Sequence, residues 1–343
     1  MIRIVRIRII RSIRMNSQIS ITFMIYDDIK NFNKQFEYEP RIENAARLKK
    51  FSKFVICGMG GSHLAGDLLQ VWRPELDLIV WPNYGLPPAK DLKERLIIVS
   101  SYSGNTEEAI DAFSQAKKHS FGVAVVASGG KLLKAAVERK APYVAIPDIH
   151  VQPRLAVGLS IKATLALMGE RKALAELSEL AHKLKPGRYE EPGRNLAKTL
   201  HGSVPLIYSS LHNFPIAYNW KIKFNETGKI PAFCNFFPEL NHNEMTGFDV
   251  AHATAALSHR FHFVFLKDQD NDRKIIRRMT VMEGILHKRG FKIDVVFIHG
   301  ANIWEKIFNA LILADWAAYY TATLYNVEAE QVPMVDEFKK LIK

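Results

Sequence analysis

The sequence predicts an α/β protein of two doubly wound halves, each a parallel sheet with helices on both faces. Three observations carry that prediction. Short uncharged apolar runs, such as those at 54–57 and 96–99, recur along the chain with helix-spaced segments between them. Loops rich in glycine or hydroxyl groups follow two of these runs directly. A Pro-Gly-punctuated stretch at 186–193 reads as a linker to a second alternating set.

Composition sets the outer bounds. A chain of 343 residues that is 48% hydrophobic and 24% charged has room for two cored domains and none of the bias of a disordered or repeat protein. The net charge is +12, and Arg3, Arg6, Arg8, Arg11 and Arg14 supply five of those charges with no acid among them. The moderately basic remainder suits an anionic substrate and equally a weak nucleic-acid contact; charge alone does not separate the two. Residues 1–14, alternating Ile or Val with Arg, read as an extension outside the fold, spanning roughly 1–25, with Met15 and Met24 as other starts. A lesser reading keeps that arm as a binder of acidic lipid or nucleic acid. Cys57 and Cys234 are the two cysteines and form no CxxC pair, which points to a reducing compartment, the cytoplasm, and to no structural zinc. The most apolar long segment, 308–327, is interrupted by Asp315 and reads as a buried helix and not a membrane span.

In chain order, 26–50 is charged and helical in flavour and leads into the strand at 54–57. Gly58-Met59-Gly60-Gly61-Ser62 follows, opening a helix at His63. The third glycine of a dinucleotide fingerprint is replaced by His63, and no acid closes a second strand about twenty residues on, so a nucleotide cofactor is not expected. Strands at 78–81, 96–99, 122–126 and 143–146 alternate with helices at 106–118 and 131–140. Pro153-Arg154 opens a long helical stretch to about Lys185. The second set has strands at 205–208, 261–266 and 293–298, helices through Trp220 and Phe224, at 273–288 and at 303–325, and a closing helix at 334–343. The halves thus divide at 26–185 and 186–343.

Two segments look chemical. Ser100-Ser101-Tyr102-Ser103-Gly104-Asn105-Thr106-Glu107 is a strand end, tight loop and helix start. Its hydroxyls and the free N–H groups of the first helical turn form a donor-rich volume suited to phosphate, although capped helices use the same residues with no ligand. In the other segment, Glu226, His242, Glu244 and several asparagines gather among aromatics, a setting that shifts proton affinities and suits proton transfer. A helix-end charge and a satisfied loop histidine are the plainer readings of Glu226 and His242. A metal site at His242 and Glu244 is disfavoured, because no second histidine stands at ligand spacing. Arg154, after a proline at a helix start, could bind phosphate bidentately or be a solvated charge.

Together, Gly58 to Ser62 with Gly66-Asp67, the serine loop, Pro153-Arg154 and Pro238-Glu239-Leu240-Asn241-His242-Asn243-Glu244 resemble the bifunctional phosphoglucose/phosphomannose isomerases, a family with two sugar isomerase (SIS) domains. The resemblance implies an aldose-ketose isomerase interconverting glucose 6-phosphate and mannose 6-phosphate with fructose 6-phosphate, with no metal or organic cofactor. Gly61, Ser62, Ser101, Ser103 and Thr106 would hold the phosphate. Glu226 would act as the base that moves a proton between C1 and C2 through a cis-enediol, and Arg154 would steady the developing negative charge. His242, supplied by the neighbouring subunit of a homodimer, and Lys339 would open and close the sugar ring; Lys340 is the alternative lysine. Thr227-Gly228 departs from the family's usual Asn-Ala, and Gln331 lies near a position that bears on sugar choice. Two other functions stay open: an isomerase for a single sugar phosphate, and a non-catalytic SIS sensor, which would have no use for Glu226, His242 and Lys339. A nucleic-acid role rests on residues 1–14 alone.

Overall fold

The computed structural model describes residues 25–249 and 252–342, so the basic arm and its alternative starts lie outside the described residues, as does Lys343. The first half comprises α1 (25–30), β1 (Ile42–Glu43), β2 (Lys53–Cys57), α2 (Leu64–Trp72), β3 (Leu78–Trp81), β4 (Arg95–Ser101), α3 (Glu107–Lys118), β5 (Val123–Ala127), α4 (Gly130–Glu138), β6 (Tyr143–Ala145), α5 (Val157–Met168) and α6 (Arg171–Lys183). Then come α7 (Glu190–Leu200), β7 (Val204–Ser210), α8 (Phe214–Glu226), β8 (Phe233–Phe237), the short α9 (Ala255–Ser258), β9 (Phe261–Asp268), α10 (Arg273–Lys288), β10 (Lys292–Ile298), α11 (Ile303–Leu324) and α12 (Pro333–Leu341).

The first sheet runs β1-β6-β5-β4-β2-β3 and is parallel except at β1, which pairs antiparallel with β6. Its central strand β4 is buried along its whole length. Period-two alternation splits that strand between two cores: Leu96 and Ile98 pack toward α2 and α5, while Ile97 and Val99 pack toward α3 and α4. The second sheet, β10-β9-β7-β8, is wholly parallel. Ile207, Val264 and Leu266 join the same large core as Ile98, filled by Trp220 and Phe224 of α8 and Trp304, Phe308 and Trp316 of α11. Leu206, Tyr208, Phe263 and Phe265 face the other way, onto Met279, Met282 and Leu286 of α10. One apolar core therefore runs between the two sheets.

Local expectations failed where tertiary packing overrode composition. The long helix after Arg154 is two helices, turning at Gly169 between α5 and α6. The stretch at 186–193 is no loose tether: a 3₁₀ turn, Pro186–Tyr189, runs straight into α7. Gly193 lies so close to α11 that a Cβ would come within 2.4 Å of Trp316 Cβ, and Trp316 Nε1 donates to the Pro186 carbonyl at 2.9 Å. Its glycine serves a close helix approach. Residues 26–50 are helical only to Glu37 before β1 forms, and β8 emerges from an aromatic run that was not read as a strand.

Candidate active site

The switch point of the first sheet lies between β2 and β4, since the chain leaves β2 for β3 on one side and returns through β4 on the other. Loops at the carboxyl ends of two such strands enclose the usual ligand crevice of an open parallel sheet. Here those loops are Gly58 to Ser62 and Ser101 to Thr106, and they touch: Tyr102 N donates to Ser62 Oγ at 3.0 Å. Ser62 Oγ thereby accepts while its hydrogen stays available to donate. Ser101 Oγ shares a hydrogen bond with Thr106 Oγ1 at 2.9 Å and accepts from Gly104 N at 3.1 Å, while exposed Ser103 accepts from Asn105 N at 3.3 Å. Thr106 precedes the first turn of α3, which carries Glu107 and Glu108 and ends at Lys117 and Lys118, charges matched to the helix dipole.

Gly61 ties these loops to Arg154. A Cβ on Gly61 would fall 2.7 Å from the Pro153 carbonyl carbon and oxygen, so only glycine lets this backbone approach. Arg154 is 2% exposed and all five of its N–H groups have acceptors. Its Nε donates to Thr227 Oγ1 at 2.8 Å, and Nη2 donates to the carbonyls of Ala329 and Glu330 at 3.0 and 2.8 Å. The remaining nitrogen, Nη1, makes the two longest contacts, 3.3 Å to Gln152 Oε1 and 3.5 Å to Glu226 Oε2. Burial pulls the guanidinium below its usual value, and Glu226 opposes that shift. Behind it, Lys223 and Asp315 form a buried ion pair at 2.5 Å.

Glu226 ends α8 with its side chain 35% exposed. Lys229 Nζ donates to its carbonyl at 2.6 Å and also to the Gln331 carbonyl; burial, and then Arg154, lower the proton affinity of that amine. The Thr227-Gly228 departure has a local account. Thr227 supplies the oxygen for Arg154 Nε, and an added Cβ on Gly228 would lie 2.8 Å from the Phe224 carbonyl.

Gly61, Ser62, Ser101, Ser103, Thr106, Arg154 and Glu226 thus form one connected set. Neither His242 nor Lys339 forms a hydrogen bond with any of these residues. Leu211 N bonds the Phe237 carbonyl at 3.1 Å, so β7 and β8 end together where α8 begins, and His242 lies just beyond. Glu226 stands at the opposite end of α8, whose 13 residues at about 1.5 Å each put it roughly 20 Å away. Lys339 sits on α12, exposed, two turns beyond Gln331. Sequence reasoning missed Gln152, Lys229 and Glu330; Gln152 Nε2 also donates to Glu330 Oε1 at 3.3 Å. The polar run around Glu328 and Glu330 was the available signal. Among the described residues, no cluster of three or more His, Cys, Asp or Glu is placed to hold a metal ion, and no helix is long and apolar enough to cross a membrane.

Two largely parallel sheets flanked by helices, with a hydroxyl-lined switch point in the first, define an α/β protein of the SIS type. Comparison with known proteins agrees. Residues 189–342 match the model of the bacterial phospho-glucose isomerase C-terminal SIS domain. The C-terminal domain of glucosamine-fructose-6-phosphate aminotransferase from Francisella tularensis superposes with a TM-score of 0.67 at 13% identity, covering 91% of this chain and 98% of that one, a likeness of fold. A bifunctional phosphoglucose/phosphomannose isomerase of Caldicellulosiruptor bescii is 31% identical over 92% of this chain and 96% of its own length, and one of Aquifex aeolicus is 28% identical over 93% and 98%. The chain belongs to the bifunctional phosphoglucose/phosphomannose isomerase family.

Proposed function

We propose that this protein interconverts glucose 6-phosphate and mannose 6-phosphate with fructose 6-phosphate, as a cytoplasmic homodimer built of SIS units at 26–185 and 186–343. The observation that carries the reading is the meeting of Arg154 and Glu226 beside the hydroxyl loops at the sheet's switch point. Gly61, Ser62, Ser101, Ser103 and Thr106 hold the phosphate, a group that does not react, and so fix the distance to the reacting carbons. Glu226, part-exposed and 3.5 Å from Arg154 Nη1, takes the proton from C2 or C1 and returns it to the other carbon. Removal of the carbon proton leaves a cis-enediolate with the negative charge on its oxygen, and protonation of that oxygen gives the neutral cis-enediol. Arg154 Nη1, whose bonds to Gln152 and Glu226 are its longest, gives up one of them to that oxygen. Proton transfer at a planar enediol can be returned to either face, which is the chemical basis for accepting both aldose configurations at C2. His242 of the partner subunit and Lys339 exchange protons with the ring oxygen and the anomeric hydroxyl. A coupled assay with each aldose phosphate is the test. Turnover of both, lost on Glu226→Gln, supports the reading; turnover of one alone reduces it to a single-sugar isomerase, and turnover of neither discards it.

A further inference from the structure

Among the described residues, α12 is the only α-helix that buries none of its side chains. It is nevertheless strongly amphipathic. Met334, Phe338 and Leu341 are 81%, 59% and 78% exposed, and Val335 and Ile342 lie beside them. At about 100° per residue these five fall within one stripe of roughly 120°. Glu337 borders one margin of the stripe and Lys339 the other, while Asp336 and Lys340 lie on the back. Apolar surface gathered in this way, on a helix that no other described residue covers, is the mark of an interface.

A matching surface lies on α10. A groove of about 450 Å³ runs between that helix and the turns Glu239–His242 and Glu244–Phe248. Its apolar stretch is formed by Met245, Val281 and Ile285, with Val281 53% exposed, and Arg277 and Arg278 give one end a basic rim. Asn241, the neighbour of His242, lines it.

We propose that α12 of each chain seats in this groove of a second copy, a two-fold exchange that makes two identical seats per dimer. Three features favour a second copy as the occupant. Apolar stripe meets apolar groove at equal length, about 13 Å for the nine residues 277–285 and for the nine of α12. Glu337, at the margin of the stripe, answers the basic rim. Position is the third: α12 is rooted at residues 329–331, which Arg154 and Lys229 hold, whereas the groove abuts His242. Seating one on the other draws His242 of the partner subunit toward the Arg154–Glu226 pair, from which the chain's own His242 is roughly 20 Å removed. It also selects between the two lysines, because Lys339 borders the seated stripe and Lys340 faces away. This seat deepens the shared-site reading above and rests on it.

Cross-linking of the full chain tests the seat. In a Cys234→Ser background, a Val281→Cys chain and a Leu341→Cys chain carrying different tags are co-expressed and treated with a short bis-maleimide. A cross-linked heterodimer is expected, together with a dissociation constant raised about 100-fold by Phe338→Glu, since each dimer loses two apolar anchors. Val281, Leu341 and Phe338 are all exposed, so these substitutions do not put folding at risk. A wild-type monomer, a dimer indifferent to Phe338→Glu, or a Val281→Cys/Leu341→Cys chain that cross-links only within itself would each overturn the seat. Sugar-phosphate turnover is read separately. Turnover without cross-linking discards the seat and keeps the reaction; cross-linking without turnover discards the reaction and keeps the seat.

Discussion

Arg154 Nη1 stands 3.5 Å from Glu226 Oε2, joining the segment that enters α5 to the last residue of α8. The arginine is buried and the carboxylate is part-exposed, so the pair presents one reactive face, that of Glu226, to the crevice. Long as a salt bridge, the contact is easily exchanged for a substrate oxygen.

Glu226→Gln should lower kcat for either aldose phosphate by about 10²–10⁴-fold, the range expected for loss of a positioned base. Its amide keeps shape and can still meet Arg154 Nη1, and the other Arg154 bonds remain, so the melting temperature should move little. A variant with full turnover would remove Glu226 from the mechanism. One that unfolds would show that the pair is needed for the fold.

Asp315 and Lys223 give a prediction about stability. Both are at most 2% exposed, and Asp315 Oδ2 has no hydrogen-bond partner of its own. Burial raises the proton affinity of Asp315, while Lys223 and Arg154 oppose the rise. Lys223→Met leaves a buried carboxylate uncompensated and should cost about 3–5 kcal/mol in urea unfolding, whereas Lys223→Met/Asp315→Leu should recover most of it. Equal losses in the single and double variants would show that the pair contributes by packing alone.

Much of this architecture is legible in the sequence because strands buried on both faces must be short, continuous and apolar, as at 54–57 and 96–99. Helices with one wet face, such as α3 and α10, announce themselves by period and terminal charge. What was hidden depends on partners distant in the chain. Pro186 and Gly193 look like linker residues until Trp316 is packed against them. β8 is a strand because β7 offers it an open edge, not because Phe233 to Phe237 alternate. The same holds for the site. The serine loop and Gly61 are local motifs, but the carbonyls that saturate Arg154 come from residues 175 and 176 positions later, and no spacing rule reveals them.

Sharing of the site between chains can be read in a mixing experiment. In a dimer of one Glu226→Gln chain and one His242→Ala chain, one site carries both lesions and the other carries neither. Random pairing makes about half of the dimers mixed, so a one-to-one mixture should regain about a quarter of wild-type turnover from two nearly inactive parents. Co-refolded protein assayed with fructose 6-phosphate formation gives the answer. If mixing restores nothing, His242 acts within its own chain or not at all.

Asp28 on α1 supplies a pH signature. Its carboxyl is pushed from the ordinary 3.8 up to about 6, first by burial and then by Glu330 and Asp27. An acid whose affinity is raised by folding holds its proton where the unfolded chain has lost it, so between about pH 4 and pH 6 the native state binds more protons. Stability contributed by this group therefore falls as pH rises through that window, and the penalty is fully present above it. Asp28→Asn removes the titration. The variant should match wild type near pH 4 and exceed it by about 1 kcal/mol at pH 7.5, a figure reduced from the full shift because the group is only partly buried. Urea unfolding at the two pH values provides the comparison, with background titrations cancelling in the difference. A gain that is the same at both would mean that Asp28 ionises in the folded protein as it does in the unfolded chain, and that the Glu330 carboxylate beneath Arg154 does not reach it.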